Sequence, residues 1–427
     1  MTECDHVTGL ANYARLQDRL EQAIAGQDPA GPPLWVLLVD LDCYTDVTLD
    51  FGPDAADYIL SIAAQRLQSC LPRSAMLARL YTDHFAAAIP DSEPPQIERY
   101  ARKCRKALTQ SISVEGIEVV LEPGMGASQY SDGDMLARSL VRQAGIAKAV
   151  AKNAGRDFAV YVADHDRRVR QNLVLMHELR RAVQERQLLL HYQPKVDLRT
   201  GRVNGVEALV RWQHPLRGMV MPDEFIPIAE RTAAIRPLTA WVLDTSMEQL
   251  ARWRAKGLDF ILSANLSVKN LEDPDLPDAV QRLLAKHGLP NEALQLEITE
   301  TAVMQDPERS IPMLEGLADT GIELSIDDFG RGYGSLTYLQ RFPASWLKID
   351  KEFVIGMDAD PRNATIVRAA IDMAHQLGMS VTAEGVETKR VLNLLRGLGC
   401  DRAQGYLFSK PVPADRIEEL AVSICEE

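Results

Sequence analysis

Hydrophobic and polar positions follow two different rhythms along the 427 residues. Up to about residue 165 the signals for helix and strand come in irregular order. An Ala- and Arg-rich helix is expected near Asn12 to Ala25, a strand at Leu34 to Val39 and a helix from Asp54 to Gln68. Strands follow near Met76 to Leu80 and Phe85 to Ile89, then a helix at Gln96 to Leu108, a strand at Ile117 to Leu121 and a helix from Asp134 to Ala151. This pattern predicts an α+β sheet domain over 1–165. The charged stretch "DHDRRVRQNLVLMHELRRAVQERQL" then predicts a helical joint, 166–187.

From 188 to 427 the rhythm becomes regular. Strand-like segments recur at "LLLHYQPKVDL", "RVNGVEALVRW", "FILSANLS", "LQLEITE", "IELSIDDFG", "SWLKIDK", "SVTAEGV" and "RAQGYLF". From the second onward, helical stretches separate most of them, which predicts an α/β barrel of the (β/α)8 kind. The first two strands are joined only by "RTG", too short for a parallel crossover. The first strand is therefore expected to run antiparallel, giving a modified TIM-like barrel.

Composition narrows the function. The chain carries 47 Lys and Arg against 60 Asp and Glu, a formal charge of −13, so a general nucleic-acid grip is excluded. An anionic ligand must be held by local cations or bound metal. The six cysteines are scattered without a CxxC pair, as expected of reduced thiols in the cytoplasm. "MTECDHVTGL" lacks the pattern of a signal peptide, and "LWVLLV" is too short to span a bilayer, so a soluble protein is expected.

Candidate chemistry gathers on the barrel. Glu207 lies within the second strand segment. Asn265, Glu297, Asp327 with Asp328, Lys348 with Asp350, Glu384 and Gln404 sit at or near the C-terminal ends of later ones. In a barrel those ends converge on one face. Two unit charges ~4 Å apart repel by roughly 4 kcal/mol even at an effective dielectric of about 20, so the cluster calls for cations. All-oxygen ligands point to Mg2+ or Mn2+ rather than zinc. If the fifth strand-like run (Glu323 onward) ends at the aspartates, a turn can bring both to one site, Asp327 bridging two ions and Asp328 holding one. Gly330, Gly332 and Gly334 would form a pliable loop over it, and Lys348 would position a water or offset developing negative charge. Taken singly, each residue has a plainer reading as a turn, cap or surface group. Their joint placement on strand after strand favours the site.

These motifs carry a family resemblance. "GVEALVRWQHP", "YQPKVDL", "PDEFIPIAE", "NLS", "EITE", "DDFG", "LKID", "AEGVE" and "QGYLF" resemble, in order, the EAL phosphodiesterase domain, whose Glu-Ala-Leu stands here as Glu207-Ala208-Leu209. The resemblance implies hydrolysis of cyclic di-GMP to linear pGpG with two Mg2+ or Mn2+ ions. It implies one ion on Glu207, Asn265, Glu297 and Asp327, and a second on Asp327, Asp328 and Glu384. Lys348 would contact the catalytic water and Glu384 would activate it. Gln193, Arg211, Asp350, Glu387 and Gln404 would complete the substrate site, and Glu300 would anchor the glycine loop. Arg331 and Gly334 depart from the family pattern and bear on loop closure and rate. The alternative is a receptor that binds cyclic di-GMP without cutting it.

The first region resembles the diguanylate cyclase (GGDEF) domain, from "DHVTGLANYARL" through "LLVDLDCYTDV" to "AKNAGRDFAVY". Its signature reads Tyr81-Thr82-Asp83-His84-Phe85, so both glycines and one metal-binding carboxylate are replaced. Thr48 stands where an asparagine reads guanine, and Pro72 and Ala75 replace the inhibitory motif. Asp40, Asp57, Asp83, Lys148 and Arg156 match. The resemblance therefore implies a cyclase-inactive regulatory or dimerisation module. GTP binding there, on Asp40, Lys148 and Arg156, is a further expectation, as is a homodimer.

Overall fold

The structure is a computed structural model that describes residues 3–26, 32–41, 44–131, 135–153, 155–330, 339 and 341–423. It contains two compact units, residues 1–171 and 172–427. Helix Ala163–Gln184 carries the chain from the first into the second.

The first unit is a sheet between helices. Its strands are β1 (Trp35–Asp40), β2 (Met76–Tyr81), β3 (His84–Ile89), β6 (Gly124–Gln129) and β7 (Phe158–Val160), in the order β2-β3-β1-β6-β7. A separate hairpin is formed by β4 (Ile112–Val114) and β5 (Ile117–Val119). Central strand β1 is buried along its whole length, and its alternation splits the core. Trp35, Leu37 and Val39 pack with helices Pro53–Cys70 and Pro94–Leu108. Val36 and Leu38 face helices Tyr13–Ala25 and Ala137–Asn153. An apolar run buried on both faces is what such a middle layer requires.

Strand β6 has no counterpart in the sequence reading. Its residues, "GMGASQ", lack the β-branched and aromatic side chains that mark strands. Packing explains the choice: a Cβ at Gly126 would lie 2.2 Å from the backbone N of Lys148, so only glycine lets helix Ala137–Asn153 approach the sheet.

The second unit is a closed barrel of eight strands. They are β8 (Leu188–Asp197), β9 (Val203–His214), β11 (Ile261–Asn265), β12 (Leu294–Thr299), β13 (Glu323–Phe329), β14 (Trp346–Ile349), β15 (Ser380–Ala383) and β16 (Arg402–Ala403). A short strand, β10 (Gly218–Val220), folds back on β9 outside the ring. β8 runs antiparallel to both neighbours, β9 and β16, and the other pairings around the ring are parallel. The link after the first strand, residues 198–202, is still too short for a parallel crossover and thus has the consequence its length dictates. Side chains of the barrel and its helices form one continuous apolar core.

Candidate active site at the barrel mouth

Strand register places the acidic residues together. Asn265 stands opposite Glu297, Glu207 lies between Gln193 and Ser263, and Thr299 faces Asp327. Glu384 and Gln404 follow directly on β15 and β16.

The two aspartates reach one site in a way the sequence reading did not anticipate. β13 continues to Phe329 rather than ending at Asp327. Its pairing with β14 instead slips between Ile326 and Phe329, and Asp328 takes a left-handed φ of 54°. A bulge re-aims side chains, and a non-glycine residue at positive φ marks local strain, often at functional positions. Asp327 and Asp328 both line the cavity that also touches Asn265 and Glu297. The bulge, not a strand end, answers the alternation problem.

The carboxylates surround a buried ammonium. Lys348, 1% exposed, places Nζ 2.6 Å from Glu297 Oε2, 2.6 Å from Glu384 Oε1, 3.1 Å from Asp327 Oδ1 and 3.9 Å from Glu207 Oε2. Four acids on one cation hold the Lys348 pKa well above its usual range, although burial alone would lower it. Burial would raise Glu297, but the ammonium groups of Lys195 and Lys348 hold it down to about 2. Glu384 goes the other way. Burial, with the charges of Asp327 and Glu207, pushes it up to about 8 against the pull of Lys348.

Amides complete the frame. Asn265 Nδ2 donates to Glu207 Oε1 at 2.8 Å, and Gln404 Nε2 donates to Glu207 Oε2 at 2.6 Å and to Gln193 Oε1 at 2.9 Å. Glu300 Oε2 accepts from the backbone N–H of Gly330 at 3.3 Å, at the start of the glycine loop. Gly330 has φ 98°, and a Cβ there would lie 2.8 Å from the Phe353 ring. Arg331, Gly332 and Gly334 lie outside the described residues.

Two cavities meet at this focus and share Leu209 and Asp327. One, of about 410 Å3, is mainly apolar apart from the acidic rim. The other, of about 380 Å3, is lined by Gln193, Glu207, Lys348, Glu384, Glu387 and Gln404 among others. Arg211 and Asp350 line neither. The Arg211 guanidinium donates to the carbonyl of Val210 at 2.8 Å, and the Asp350 carboxylate caps helix Lys351–Val354 through Glu352 N–H.

Among the described residues, the Asp, Glu, His or Cys group whose ligand atoms already lie within 4.8 Å of one another is in the first unit, not here. At the barrel mouth the chain's own ammonium stands among the acids instead. The donor set still fits a hard divalent cation: it is all oxygen, more acidic than basic, and focused on a positive charge.

Family models match both units: "EAL domain" over residues 176–411 and "Diguanylate cyclase, GGDEF domain" over residues 2–158. The chain belongs to the EAL family. The chain as a whole is 37% identical over 415 residues to the Pseudomonas aeruginosa bifunctional diguanylate cyclase/cyclic di-GMP phosphodiesterase MucR, covering 97% of this chain and 61% of that protein. It is 32% identical over 419 residues to the Escherichia coli cyclic di-GMP phosphodiesterase PdeR, covering 98% of this chain and 63% of that protein. Across its first three curated relatives it spans 52% to 61% of their lengths. The EAL unit resembles the solved PaMucR phosphodiesterase in complex with c-di-GMP. That match has 43% identity and a TM-score of 0.55, and covers 57% of this chain and 99% of that one. Phosphodiesterases of the EAL family depend on divalent metal.

In the GGDEF unit the corresponding acids are already engaged by basic side chains. The Lys148 ammonium bonds Asp40, and His84 bridges Asp83 at 2.8 Å through Nδ1 and Asp40 at 3.4 Å through Nε2. Burial would raise Asp83, but hydrogen bonds from Thr82 and His84 hold it below the usual carboxylate range. Thr82, in place of a glycine, keeps φ at 39°, a turn geometry costly for a β-branched residue. Its carbonyl is pinned by Arg79, whose Nε donates at 2.9 Å.

Two contributors escaped the sequence reading. Tyr406, 58% exposed, lines the second cavity. Lys195, inside "YQPKVDL", is fully buried and grips Glu297. The available signal was a lysine placed between apolar residues of a strand predicted to face the barrel interior.

No helix among the described residues is long and apolar enough to cross a membrane. Cys4, Cys70, Cys104 and Cys400 are free thiols.

Proposed function

We infer that the EAL unit hydrolyses cyclic di-GMP to linear pGpG, as a cytoplasmic second-messenger phosphodiesterase. The observation that carries this reading is the convergence of Glu207, Glu297, Asp327 and Glu384 from four segments of the barrel on one buried cation. The names of the relatives, which describe cyclic di-GMP phosphodiesterases, support the substrate.

Glu207, Asn265, Glu297, Asp327, Asp328 and Glu384 would hold two Mg2+ or Mn2+ ions. Divalent ions bound there would offset the acids, bind a phosphodiester and lower the pKa of a water enough to supply hydroxide. Glu384, partly exposed beside Lys348, is placed to take that water's proton once bound cations favour its carboxylate form. Lys348 offers an N–H donor and a charge for the oxygen anion that develops. Gln193 and Gln404 form a fixed amide pair beside Glu207 for orienting substrate. Arg211, Asp350 and Glu387 complete this assignment, and Glu300 anchors the loop over the site through Gly330. Two cavities flanking the acidic focus suit a ligand with two nucleobases around a central phosphate ring.

The GGDEF unit, in this reading, makes no cyclic di-GMP. Its two signature glycines are Tyr81 and Thr82, and Lys148 and His84 already satisfy Asp40 and Asp83. It would serve as a regulatory or dimerisation module. GTP binding and homodimer formation belong to the same reading; calorimetry with GTP and light scattering test them.

The deciding experiment incubates the full chain with cyclic di-GMP and Mg2+ or Mn2+, then separates products by chromatography. Accumulating pGpG supports the reading. Tight binding without product favours the receptor alternative.

A further inference from the structure

Glu297 is held from two sides. Lys348 takes Oε2 at 2.6 Å, on the side of Asp327 and Glu384. Oε1 is taken by the ammonium of Lys195 on β8, a residue with no solvent exposure. The same Nζ donates to Ser263 Oγ at 2.7 Å and to Gln295 Oε1 at 3.3 Å. Ser263 in turn donates to Gln295 Oε1 at 2.9 Å. Three acceptors thus meet the three N–H donors of one ammonium.

The barrel is shaped for this side chain. Lys195 stands opposite Gly205 on β9, where a Cβ would lie 3.2 Å from the carbonyl of Ile261 and 3.7 Å from the Lys195 stem. An ammonium buried this deeply is unfavourable unless paired, and an apolar residue would fill the barrel without that cost. Its partners point to a role at Glu297.

Resting on the metal-dependent reading above, we propose that Lys195 is a positioning residue. It commits Oε1 of Glu297 to the barrel interior and leaves Oε2 as the single oxygen for a cation on the side of the other acids. Its charge also holds down the cation affinity of the site.

The test compares the full-length wild type with Lys195→Met, which keeps an unbranched stem and removes the charge. Mn2+ alone is titrated by calorimetry, and the Mn2+-induced rise in unfolding temperature is recorded, followed by kcat on cyclic di-GMP at saturating Mn2+. The expected result is a split: Mn2+ affinity rises by ~tenfold, the Mn2+-induced rise grows, and kcat falls. A lysine that only fills space would leave affinity and kcat unchanged, and one that only supports the fold would lower both. Either result overturns the proposal. Where Lys195→Met does not fold, Lys195→Gln carries the test. It keeps an N–H donor without charge, and is expected to raise affinity while retaining more of kcat than a residue without a donor. Unchanged affinity there overturns the proposal. A wild type that binds no Mn2+ overturns the functional reading as well, whereas a binding wild type with an indifferent variant overturns only the role of Lys195.

Discussion

Both units gather carboxylates around a lysine, and the charges sum differently in each. In the GGDEF unit Asp40 and Asp83 face Lys148 and His84, two acids against two bases. At the barrel mouth Glu207, Glu297, Asp327 and Glu384 face Lys348, with Lys195 behind Glu297, four acids against two ammonium groups. In the first arrangement each acid is bonded to a lysine or a histidine side chain. The second packs more carboxyl groups than ammonium groups into a poorly solvated place. Repulsion between close acids there costs several kcal/mol unless it is offset by a cation or, at Glu384, by a retained proton. A surplus of carboxyl groups over basic partners, rather than the presence of acids, distinguishes the two clusters.

The largest expected effect is on turnover. Glu207→Ala or Glu384→Ala should abolish cyclic di-GMP hydrolysis while the far-ultraviolet dichroism stays that of the wild type. Unchanged turnover in both variants would remove the site assignment. Asp40→Ala in the GGDEF unit should leave hydrolysis chemistry intact, which sharpens the contrast.

Removing a cation from each cluster should expose the same difference in stability. Lys348→Met strands four acids around a buried gap and should cost on the order of 3–5 kcal/mol in the metal-free protein, read by denaturant unfolding. Lys148→Met, whose side chain is 16% exposed, should cost clearly less. Equal losses would break the comparison.

Acidity gives a subtler test in metal-free protein. Glu297, held down to about 2 from an ordinary 4.5, contributes stability that is complete above the ordinary value and is lost as pH falls toward 2. Glu384 has the opposite sign. Pushed up from 4.5 to about 8, it keeps a proton that the unfolded chain has released, so stability falls as pH rises through that window. Glu384→Gln should therefore raise the unfolding temperature at about pH 9 and leave it unchanged at about pH 4. The smallest effect is expected at Thr82→Gly, which relieves the positive φ and should stabilise the GGDEF unit by about 0.5–1 kcal/mol.

Much of this was legible in the chain. The eight strand segments, the antiparallel first strand forced by "RTG", and the gathering of Glu207, Asn265, Glu297 and Asp327 on one face follow from periodicity and loop length. What was hidden depended on long-range packing. Strand β6 carries no strand-forming side chains, because its glycine exists for a helix elsewhere in the chain. The bulge at Asp328 leaves no mark in an alternating pattern. Lys195 looks like any strand lysine until the barrel closes and brings Glu297 to it across three strand positions.

Calorimetric titration of Mn2+ into the full chain, compared with its Asp327→Asn and Asp40→Asn variants, tests the carboxyl-surplus account most directly. The account predicts that Asp327→Asn loses most of the Mn2+ heat and that Asp40→Asn keeps it. Retained heat in Asp327→Asn together with loss in Asp40→Asn would place the cation in the GGDEF unit and contradict the account.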